Sequence, residues 1–381
     1  MVFEERPMRI SSQFDAGNII VKDASDPRNI RLEIRKDAGS DFYQWFYFRV
    51  TGAAGAPARF VIENAAGAAY PKGWEGYEAR MSSDLRSWGL VETSYENGQL
   101  IFETLIPDDA VWFAYFAPYT LTRHAELIAL CQHAAQARLD VIGQTLDGRD
   151  IDRLTFGEPG PGKKTIWVTA RQHPGESMAE WAAEGFLDRL VNDADPGARD
   201  LLNRAVVHVV PNMNPDGSFR GHLRTNAKGI NLNREWDKAN EGNSPEVFAV
   251  LQQMKQTGVD LFLDMHGDEA LPYNFIAGAE GVPGWTPEDQ GKLDAYKSAL
   301  AGLNPDFQTE HGYPVDAPGS ADLSIATNWM RHAFGCLAMT LEMPFKDSAI
   351  TPDEDEAWSP QRAMAMGASQ VDAMRAVLDR L

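Results

Sequence analysis

Cysteine is scarce in this chain of 381 residues, which has Cys131 and Cys336 alone. Two cysteines cannot build a disulfide framework or a cysteine-rich zinc finger. Long apolar runs are also missing, since no stretch approaches the ~20 residues that a membrane-spanning helix needs. The first residues, MVFEERPMRISSQFD, are acidic where a secretory signal peptide has a basic and then an apolar segment. We therefore expect a protein of the cytoplasm that does not enter a membrane.

Positive charge is scarce as well. The chain has 35 Lys and Arg against 55 Asp and Glu, which gives a net charge of −20. Nucleic acids and anionic membranes repel such a surface, so we expect neither as a partner. In other respects the composition is that of a globular protein, with 44% hydrophobic and 24% charged residues. The length suggests two domains, or one large domain with an appendage.

The first 120 residues have the periodicity of β-strands. Isoleucine and leucine alternate with charged residues at positions 30, 32 and 34, which is typical of a half-buried strand. Asn97-Gly98 separates Trp88–Tyr95 from Leu100–Leu105, and Asn-Gly favours the type I′ turn of a hairpin. We predict a small antiparallel, sandwich-like β domain over residues 1–120, ending in the sequence FAPYT.

Strands and helices are mixed in the rest of the chain. Residues 121–137 have a helical pattern, and Ser359 followed by Pro360 is a good start for a closing helix that runs to Leu381. The predicted buried strands are Lys164–Ala170, Ala205–Val210, Val259–Met265 and Cys336–Leu341. This pattern predicts an α/β domain over residues 121–381, with a mixed, mostly parallel sheet flanked by helices.

Two polar clusters at the ends of predicted strands carry possible metal ligands. In RQHPGE, His173 and Glu176 lie three residues apart, and His266 ends a buried strand in DMHGD. Two histidines and one glutamate would leave zinc an open position for water, which is the catalytic arrangement. Taken singly, a loop histidine, a glutamate at a helix start and a hydrogen-bonded strand-end histidine are commoner. The motif HExxH is absent, which excludes a thermolysin-type site.

Two further clusters carry an arginine pair and a buried acid. Arg224 and Arg234 lie in a glycine-containing loop together with Asn233, and an arginine fork can bind a carboxylate through two parallel hydrogen bonds. Glu342 directly follows an apolar strand in TLEMPF, where burial would raise its pKa toward that of a general base. The simpler alternatives are surface arginines paired with acids and a glutamate in a salt bridge.

Together and in this order, the clusters resemble the zinc metallocarboxypeptidase superfamily. The motifs are HPGE, NPDG, LNREW, DMHGD and TLEMPF, within about residues 160–345. They are most similar to the cytosolic carboxypeptidase branch, whose eukaryotic members trim glutamate from protein tails. The upstream β region that ends in FAPYT also resembles the amino-terminal β domain of this branch. The resemblance implies a carboxypeptidase-like fold and a zinc-dependent hydrolase that cleaves the C-terminal peptide bond of peptides or protein tails.

The resemblance implies one zinc ion, bound by His173, Glu176 and His266. Many relatives have aspartate at the position of Asn231, in the sequence DLNR. If this residue supports a zinc histidine, an amide would do so less strongly than a carboxylate.

The resemblance also implies the roles of five other residues. Arg224 corresponds to the arginine that polarises the oxyanion, and Asn233 with Arg234 to the pair that holds the substrate's terminal carboxylate. Glu342 corresponds to the general base and acid. Tyr313, in HGYPVDAPGS, is the candidate for the mobile tyrosine, although its spacing to Glu342 is longer than in the digestive enzymes.

Three alternatives differ from this interpretation. An aspartoacylase-like zinc amidohydrolase shares HxxE and a later histidine, but the LNREW and TLEMPF motifs favour the peptidase. A noncatalytic peptide-binding relative would usually lose a metal ligand or the base, and all are present here. A β-domain binding module with an incidental α/β partner leaves the order of the motifs unexplained. For substrate preference, Asp322 in the sequence GSAD offers an acid, and Arg331 with His332 a source of positive charge.

Overall fold

The computed structural model describes residues 8–381. Residues 1–7 include the start of the predicted N-terminal domain and the first acidic residues that argue against a signal peptide, and they lie outside the described residues. In residues 8–381 the chain forms three β-sheets and eight α-helices. None of these helices is long and apolar enough to cross a membrane. The predicted boundary between two domains at residue 120 stays a prediction.

Residues 8–116 contain two five-stranded sheets, which we call the N-terminal sheets. In spatial order, the first contains β1 (Arg9–Ser11), β4 (Tyr47–Thr51), β10 (Ala110–Ala114), β6 (Ala79–Ser82) and β7 (Gly89–Val91). The second contains β2 (Ile20–Asp23), β3 (Ile30–Glu33), β5 (Pro57–Ile62), β9 (Gln99–Leu105) and β8 (Thr93–Glu96). Neighbouring strands are antiparallel except for β3 and β5.

Phenylalanine rings fill the space between the N-terminal sheets. Phe48 and Phe113 of the first sheet face Phe60 of the second, with ring centroids 5.7 and 4.8 Å away. Phe102 stacks on Phe60 at 5.0 Å. All four rings are buried, so their burial joins the two sheets into a sandwich.

The predicted hairpin is present, but its first strand is divided. Asn97 and Gly98 have φ angles of 51° and 81°, as a turn with positive φ requires, and β8 pairs with β9. The segment Trp88–Tyr95, predicted as one strand, is β7 in the first sheet followed by β8 in the second. The strand breaks because the chain passes between sheets at Glu92, where the Thr93 hydroxyl accepts a hydrogen bond from the Ala79 N–H.

The third sheet has seven strands, and its four central strands are parallel. In spatial order it contains β11 (Ala137–Gln144), β12 (Asp150–Phe156), β14 (Ala205–Val210), β13 (Lys164–Ala170), β15 (Leu261–Asp268), β17 (Leu337–Pro344) and β16 (Phe275–Ala277). The helices are α1 (Leu121–Cys131), α2 (Ser177–Leu190), α3 (Pro196–Arg204), α4 (Pro215–Arg220), α5 (Pro245–Thr257), α6 (Pro287–Leu303), α7 (Ala326–Phe334) and α8 (Pro360–Val377).

The first and last helices of residues 121–381 are shorter than the sequence predicts. Helix α1 starts after Thr120, whose hydroxyl accepts from the Arg123 N–H, but ends at Cys131 rather than residue 137. The next residues form the β11–β12 hairpin, which the periodicity did not predict because β11 is an edge strand with no buried residue. Helix α8 begins at Pro360 after the Ser359 cap, as predicted, and ends at Val377 before a 3₁₀ turn.

Residues 115–119 attach the N-terminal sheets to the third sheet. The Ala117 carbonyl accepts hydrogen bonds from the Ser177 hydroxyl (2.9 Å) and the Trp181 indole (3.1 Å) at the start of α2. Tyr115 stacks on Phe345, which follows β17, at 4.5 Å. The aromatic end of the first region therefore packs directly on α2 and on the end of β17.

Glu246, in the first turn of α5, is a fully buried carboxylate that lacks an ion-pair partner within residues 8–381. Its Oε2 accepts from the Asn226 amide at 3.4 Å, while its Oε1 has no hydrogen-bond partner there. Burial, with a smaller effect of Asp216, raises the pKa of Glu246 to about 7. The folded chain thus keeps the Glu246 proton between pH 4.5 and 7, where the unfolded chain loses it, and the free energy of unfolding falls as the pH rises through this window.

We predict that Glu246→Gln stabilises the protein more at pH 8 than at pH 5, because the amide removes the cost of burying a charge. The difference between the two pH values should be roughly 3 kcal/mol. Thermal melts of variant and wild type at both pH values measure it, with Glu126→Gln on the exposed face of α1 as the control. Equal effects of Glu246→Gln at pH 5 and pH 8 would contradict the prediction.

Candidate active site

Four predicted site residues lie at the carboxyl ends of parallel strands, where open α/β sheets bind ligands. His173 follows β13, and Glu176 directly precedes α2. His266 lies in β15 opposite Glu342 in β17. All four side chains are buried from bulk solvent but line one cavity of about 710 Å³.

Two imidazoles and one carboxylate converge at the floor of this cavity. The Nδ1 atoms of His173 and His266 are 3.2 Å apart. Glu176 places Oε1 2.6 Å from the first of these nitrogens and Oε2 2.8 Å from the second. The three donor atoms lie within 4.8 Å of one another, close enough to bind one ion.

The groups behind the histidines set which nitrogen faces the cavity. The Nε2 of His173 lies 3.0 Å from the Asn231 Oδ1, and the Nε2 of His266 lies 2.7 Å from the Asp264 Oδ2. Both partners are acceptors, so each Nε2 carries a proton and each Nδ1 is left to bind a cation, either a proton or a metal ion. Two lone pairs 3.2 Å apart repel each other unless a cation lies between them. The donor set of two imidazoles and one carboxylate therefore fits a divalent zinc ion.

Asp264 is more firmly placed than Asn231 behind the metal-binding groups. Its Oδ1 accepts from the Thr169 hydroxyl at 2.8 Å, and its Oδ2 also accepts from the Gln172 amide. Burial opposes protonation of His266, but the carboxylates of Asp264 and Glu176 raise its pKa well above the usual range. The site therefore favours a positive charge at the point where the donors meet.

The three predicted residues of the arginine loop line the same cavity. The Arg224 Nη1 lies 3.5 Å from the His173 Nδ1 and 3.8 Å from the Glu176 Oε1. The Asn233 Oδ1 accepts from the Ala326 N–H at 2.8 Å, which leaves its amide N–H groups for a ligand. Arg234 is partly exposed, and its pKa is lowered by burial and by Arg224. Two guanidinium groups thus face one cavity.

Glu342 and Tyr313 both face the metal-binding groups. Burial, together with the carboxylates of Glu176 and Asp268, raises the pKa of Glu342 well above its usual range. Within residues 8–381, the Glu342 Oε2 is buried without a hydrogen-bond partner. The Tyr313 hydroxyl donates to the Asp268 Oδ2 at 2.6 Å, and the ring is about half exposed at the cavity. Tyr313 therefore lines the same cavity as Glu342.

Tyr70 and Glu269 are among the residues that line the cavity and that sequence reasoning missed. Tyr70 belongs to the N-terminal region, and nothing in the sequence relates it to a motif a hundred residues away. Glu269 follows the DMHGD motif directly, so its position could have been noticed. Burial and the Glu176 carboxylate raise the pKa of Glu269 well above its usual range.

Arg331 and His332, considered as a source of positive charge for substrate preference, lie outside the cavity. Arg331 donates to Asp289 at 2.6 Å, and neither Arg331 nor His332 lines the cavity. Lys297 and Glu280, 3.9 Å apart, are a charged pair that does line it. Positions 331 and 332 are wrong as a source of positive charge because they lie in the last turn of α7, away from the strand ends.

Two family models match the chain over most of its length. Residues 10–116 match the cytosolic carboxypeptidase N-terminal domain, and residues 125–360 match zinc carboxypeptidase. A metallo-carboxypeptidase from Pseudomonas aeruginosa, solved in complex with (2-guanidinoethylmercapto)succinic acid, is similar in sequence and fold. It is 42% identical with a TM-score of 0.95, and the match covers 98% of this chain and 99% of that one.

Two relatives differ in how much of their length this chain covers. An uncharacterized protein of Zymomonas mobilis is 46% identical over 374 residues, which is 98% of this chain and 97% of the relative. Cytosolic carboxypeptidase 2 of Homo sapiens is 27% identical over 310 residues, which is 72% of this chain but 34% of the human protein. The chain therefore spans about a third of the length of that human relative.

We predict that His173→Ala, Glu176→Ala and His266→Ala each lower zinc content while the fold is kept, because each removes one donor atom from a preformed site. Metal analysis and circular dichroism of the purified variants measure both properties. His133→Ala and Glu126→Ala change exposed residues of the same types and serve as controls. A wild-type zinc content in any of the three variants contradicts this assignment, whereas unfolding on metal loss would indicate a structural ion.

Proposed function

Because the chain belongs to the zinc carboxypeptidase family, we propose that it removes the C-terminal residue from peptides or protein tails with one bound zinc ion. The observation that carries this proposal is the sharing of one cavity by three kinds of group. These are a set of metal donors, a buried carboxylate beside them and a pair of arginines.

His173, Glu176 and His266 would hold the metal. When bound, zinc lowers the pKa of a water molecule and polarises the scissile carbonyl. The Gly267 N–H donates to the Glu176 Oε2 at 3.0 Å, which fixes the carboxylate from behind. Asn231 and Asp264 fix the two imidazoles in the same way, so the donor atoms need little rearrangement to bind an ion.

Arg234 and Asn233 are the proposed binding site for the substrate's terminal carboxylate. The Arg234 Nη1 donates to the Asn233 backbone carbonyl at 2.6 Å, which holds the guanidinium against the main chain of Asn233. The nearest acid to the Arg234 Nε is Asp322, at 3.9 Å, so the guanidinium retains donors for an anion. A site that requires a free carboxylate restricts cleavage to the end of a chain.

Glu342 and Arg224 are the proposed catalytic pair. A carboxylate whose pKa is raised by burial is suited to take a proton from the attacking water and return it to the leaving amine. Arg224 donates toward the place where the oxyanion develops, beside the metal-binding groups. Tyr313, hydrogen-bonded to Asp268 at the rim, could turn toward the substrate in the role of the mobile tyrosine.

The family match favours this function over an aspartoacylase-like amidohydrolase. We also propose that the protein acts in the cytoplasm. Cys131 and Cys336 are both free thiols, which suits a reducing compartment, and the human relative is named as cytosolic.

We predict that Arg234→Ala raises KM for free-acid peptides by roughly 10- to 100-fold, because hydrogen bonds to charged groups contribute about 1.5–3 kcal/mol. Arg224→Ala should instead lower kcat, by about 10²–10³-fold. Steady-state kinetics with peptides of varied C-terminal residue measure both effects. Arg234→Lys keeps the charge without the fork, and Arg28→Ala on the exposed surface is the control. Equal cleavage of C-terminally amidated and free-acid peptides would refute the exopeptidase function.

We predict that Glu342→Gln lowers kcat by ~10²–10⁴-fold, because the amide keeps the size of the side chain but cannot accept the proton. Zinc content and binding of a terminal-carboxylate inhibitor should be kept, since neither needs that transfer. Single-turnover kinetics, metal analysis and calorimetric titration measure the three properties, with Glu126→Gln as the control. Hydrolysis within a few-fold of wild type would place the base elsewhere. A wild type that binds zinc and peptide without cleaving would be a noncatalytic relative.

A further inference from the structure

The loop that carries Arg224 lies between α4 and the 3₁₀ turn Leu232–Arg234, with no strand of its own. It begins at Gly221, whose φ of 67° ends α4. The Leu223 carbonyl accepts from the Gly175 N–H at 2.8 Å, which joins this loop to the HPGE motif. The backbone N–H groups of residues 223–225 are buried or partly buried and need acceptors of their own.

A single carboxylate from the N-terminal sheets supplies those acceptors. Asp37, four residues after β3, is 2% exposed. Its Oδ1 accepts from the Leu223 N–H at 2.7 Å. Its Oδ2 accepts from the Arg224 N–H at 2.8 Å, the Thr225 N–H at 2.9 Å and the Thr225 hydroxyl at 3.0 Å. Charge-assisted bonds of this kind are roughly twice as strong as neutral ones.

Further hydrogen bonds hold both the Arg224 loop and the segment that carries Asp37. The Ala38 N–H donates to the His222 Nε2 at 3.0 Å, so the His222 Nδ1 carries the proton and donates to the Thr225 carbonyl at 2.9 Å. The Asp37 N–H donates to the Phe42 carbonyl at 2.8 Å, which closes residues 37–42 into a tight loop. These bonds hold the Asp37 carboxylate in place, and the carboxylate in turn orients residues 223–225.

The guanidinium of Arg224 is also held by the N-terminal region. Its Cζ lies 5.6 Å from the centroid of the Phe42 ring and 5.5 Å from that of Tyr70, within the range of cation–π attraction. The main chain of Arg224 is thus fixed by Asp37, and its side chain by two rings from the same region.

We propose that Asp37 is a positioning residue for the reaction: it sets the main chain of residues 223–225 and thereby the place of the Arg224 guanidinium. The proposal rests on the function proposed for Arg224. In Asp37→Asn one acceptor oxygen is replaced by an N–H₂ group that faces other donors, so the loop must shift. A shift of about 1 Å in a group that stabilises a transition state can lower the rate by about 10²-fold.

The alternative is that Asp37 only fastens the N-terminal sheets to the rest of the chain. Asp15 makes a matched control, because its Oδ2 accepts from the Leu121 N–H at 2.7 Å and so makes the same kind of link at the start of α1. Asp15 does not line the active-site cavity. If fastening were the whole role, Asp37→Asn and Asp15→Asn would affect stability and activity alike.

The test is a double-mutant cycle between Asp37→Asn and Arg224→Ala in the zinc-loaded protein, with Asp15→Asn as the control. We expect Asp37→Asn to lower kcat for a free-acid peptide by about 10²-fold, with KM within a few-fold of wild type. In the Arg224→Ala background, Asp37→Asn should change kcat by less than about 3-fold, because residues that act through one another are not additive. Asp15→Asn should keep the kcat of the wild type.

Thr225→Val gives a milder variant in case Asp37→Asn does not fold. It removes one donor to Asp37 at nearly constant shape, and we expect kcat to fall by about 10-fold, again only when Arg224 is present. Additive losses in the cycle, or a kcat unchanged by Asp37→Asn and Thr225→Val, would overturn the inference and leave the carboxypeptidase function intact. If Arg224→Ala itself keeps the wild-type kcat, the role of Arg224 and the inference both fail.

Discussion

The active site depends on the repulsion between three electron-rich donor atoms that the fold forces together. The Nδ1 atoms of His173 and His266 face each other at 3.2 Å, with the Glu176 carboxylate against both. Neither imidazole can turn away, because Asn231 holds the Nε2 side of His173 and Asp264 holds the Nε2 side of His266. The register of the parallel strands imposes this meeting, since β13 and β15 are neighbours and end at the same edge of the sheet. A bound cation relieves the repulsion, and the surrounding acids add to its attraction.

The N-terminal sheets contribute directly to the cavity that results. Tyr70 lines it, Phe42 and Tyr70 flank the Arg224 guanidinium, and Asp37 bonds the loop beneath. The same region is joined to α2 through the Ala117 carbonyl. Since α2 begins directly after Glu176, this second attachment also lies next to a metal-binding group.

The sequence predicted those parts of the site that depend on residues close together in the chain. Strands β13, β14, β15 and β17 are continuous apolar runs, so their ends, and with them His173, His266 and Glu342, were readable from the sequence. Contacts between residues that are distant in the chain were not readable from the sequence. Asp37 and Arg224 are bonded across 187 positions, and no periodicity relates a residue in one loop to a backbone N–H in another.

The same limit applies to the fold. The β11–β12 hairpin escaped prediction because β11 is an edge strand with no buried residue, and it lacks the alternation that marks a buried face. The division of Trp88–Tyr95 between β7 and β8 depends on which sheet each half joins, and residues from elsewhere in the chain decide that. Charge alone was an equally poor guide at Arg331, whose pairing with Asp289 takes it away from the cavity.

The distribution of charge within the cavity gives the site its direction. Near the metal-binding groups, the carboxyl groups of Glu176, Asp268 and Glu342 line the cavity, so this end attracts positive charge. At the arginine end, the guanidinium groups of Arg224 and Arg234 line the cavity, and the acid nearest to the Arg234 Nε lies 3.9 Å away, so this end attracts an anion. A peptide C-terminus has a matching polarity, with a carboxylate at its end and a carbonyl one residue before it. The cavity can therefore orient a chain end before any preference for its side chain is expressed.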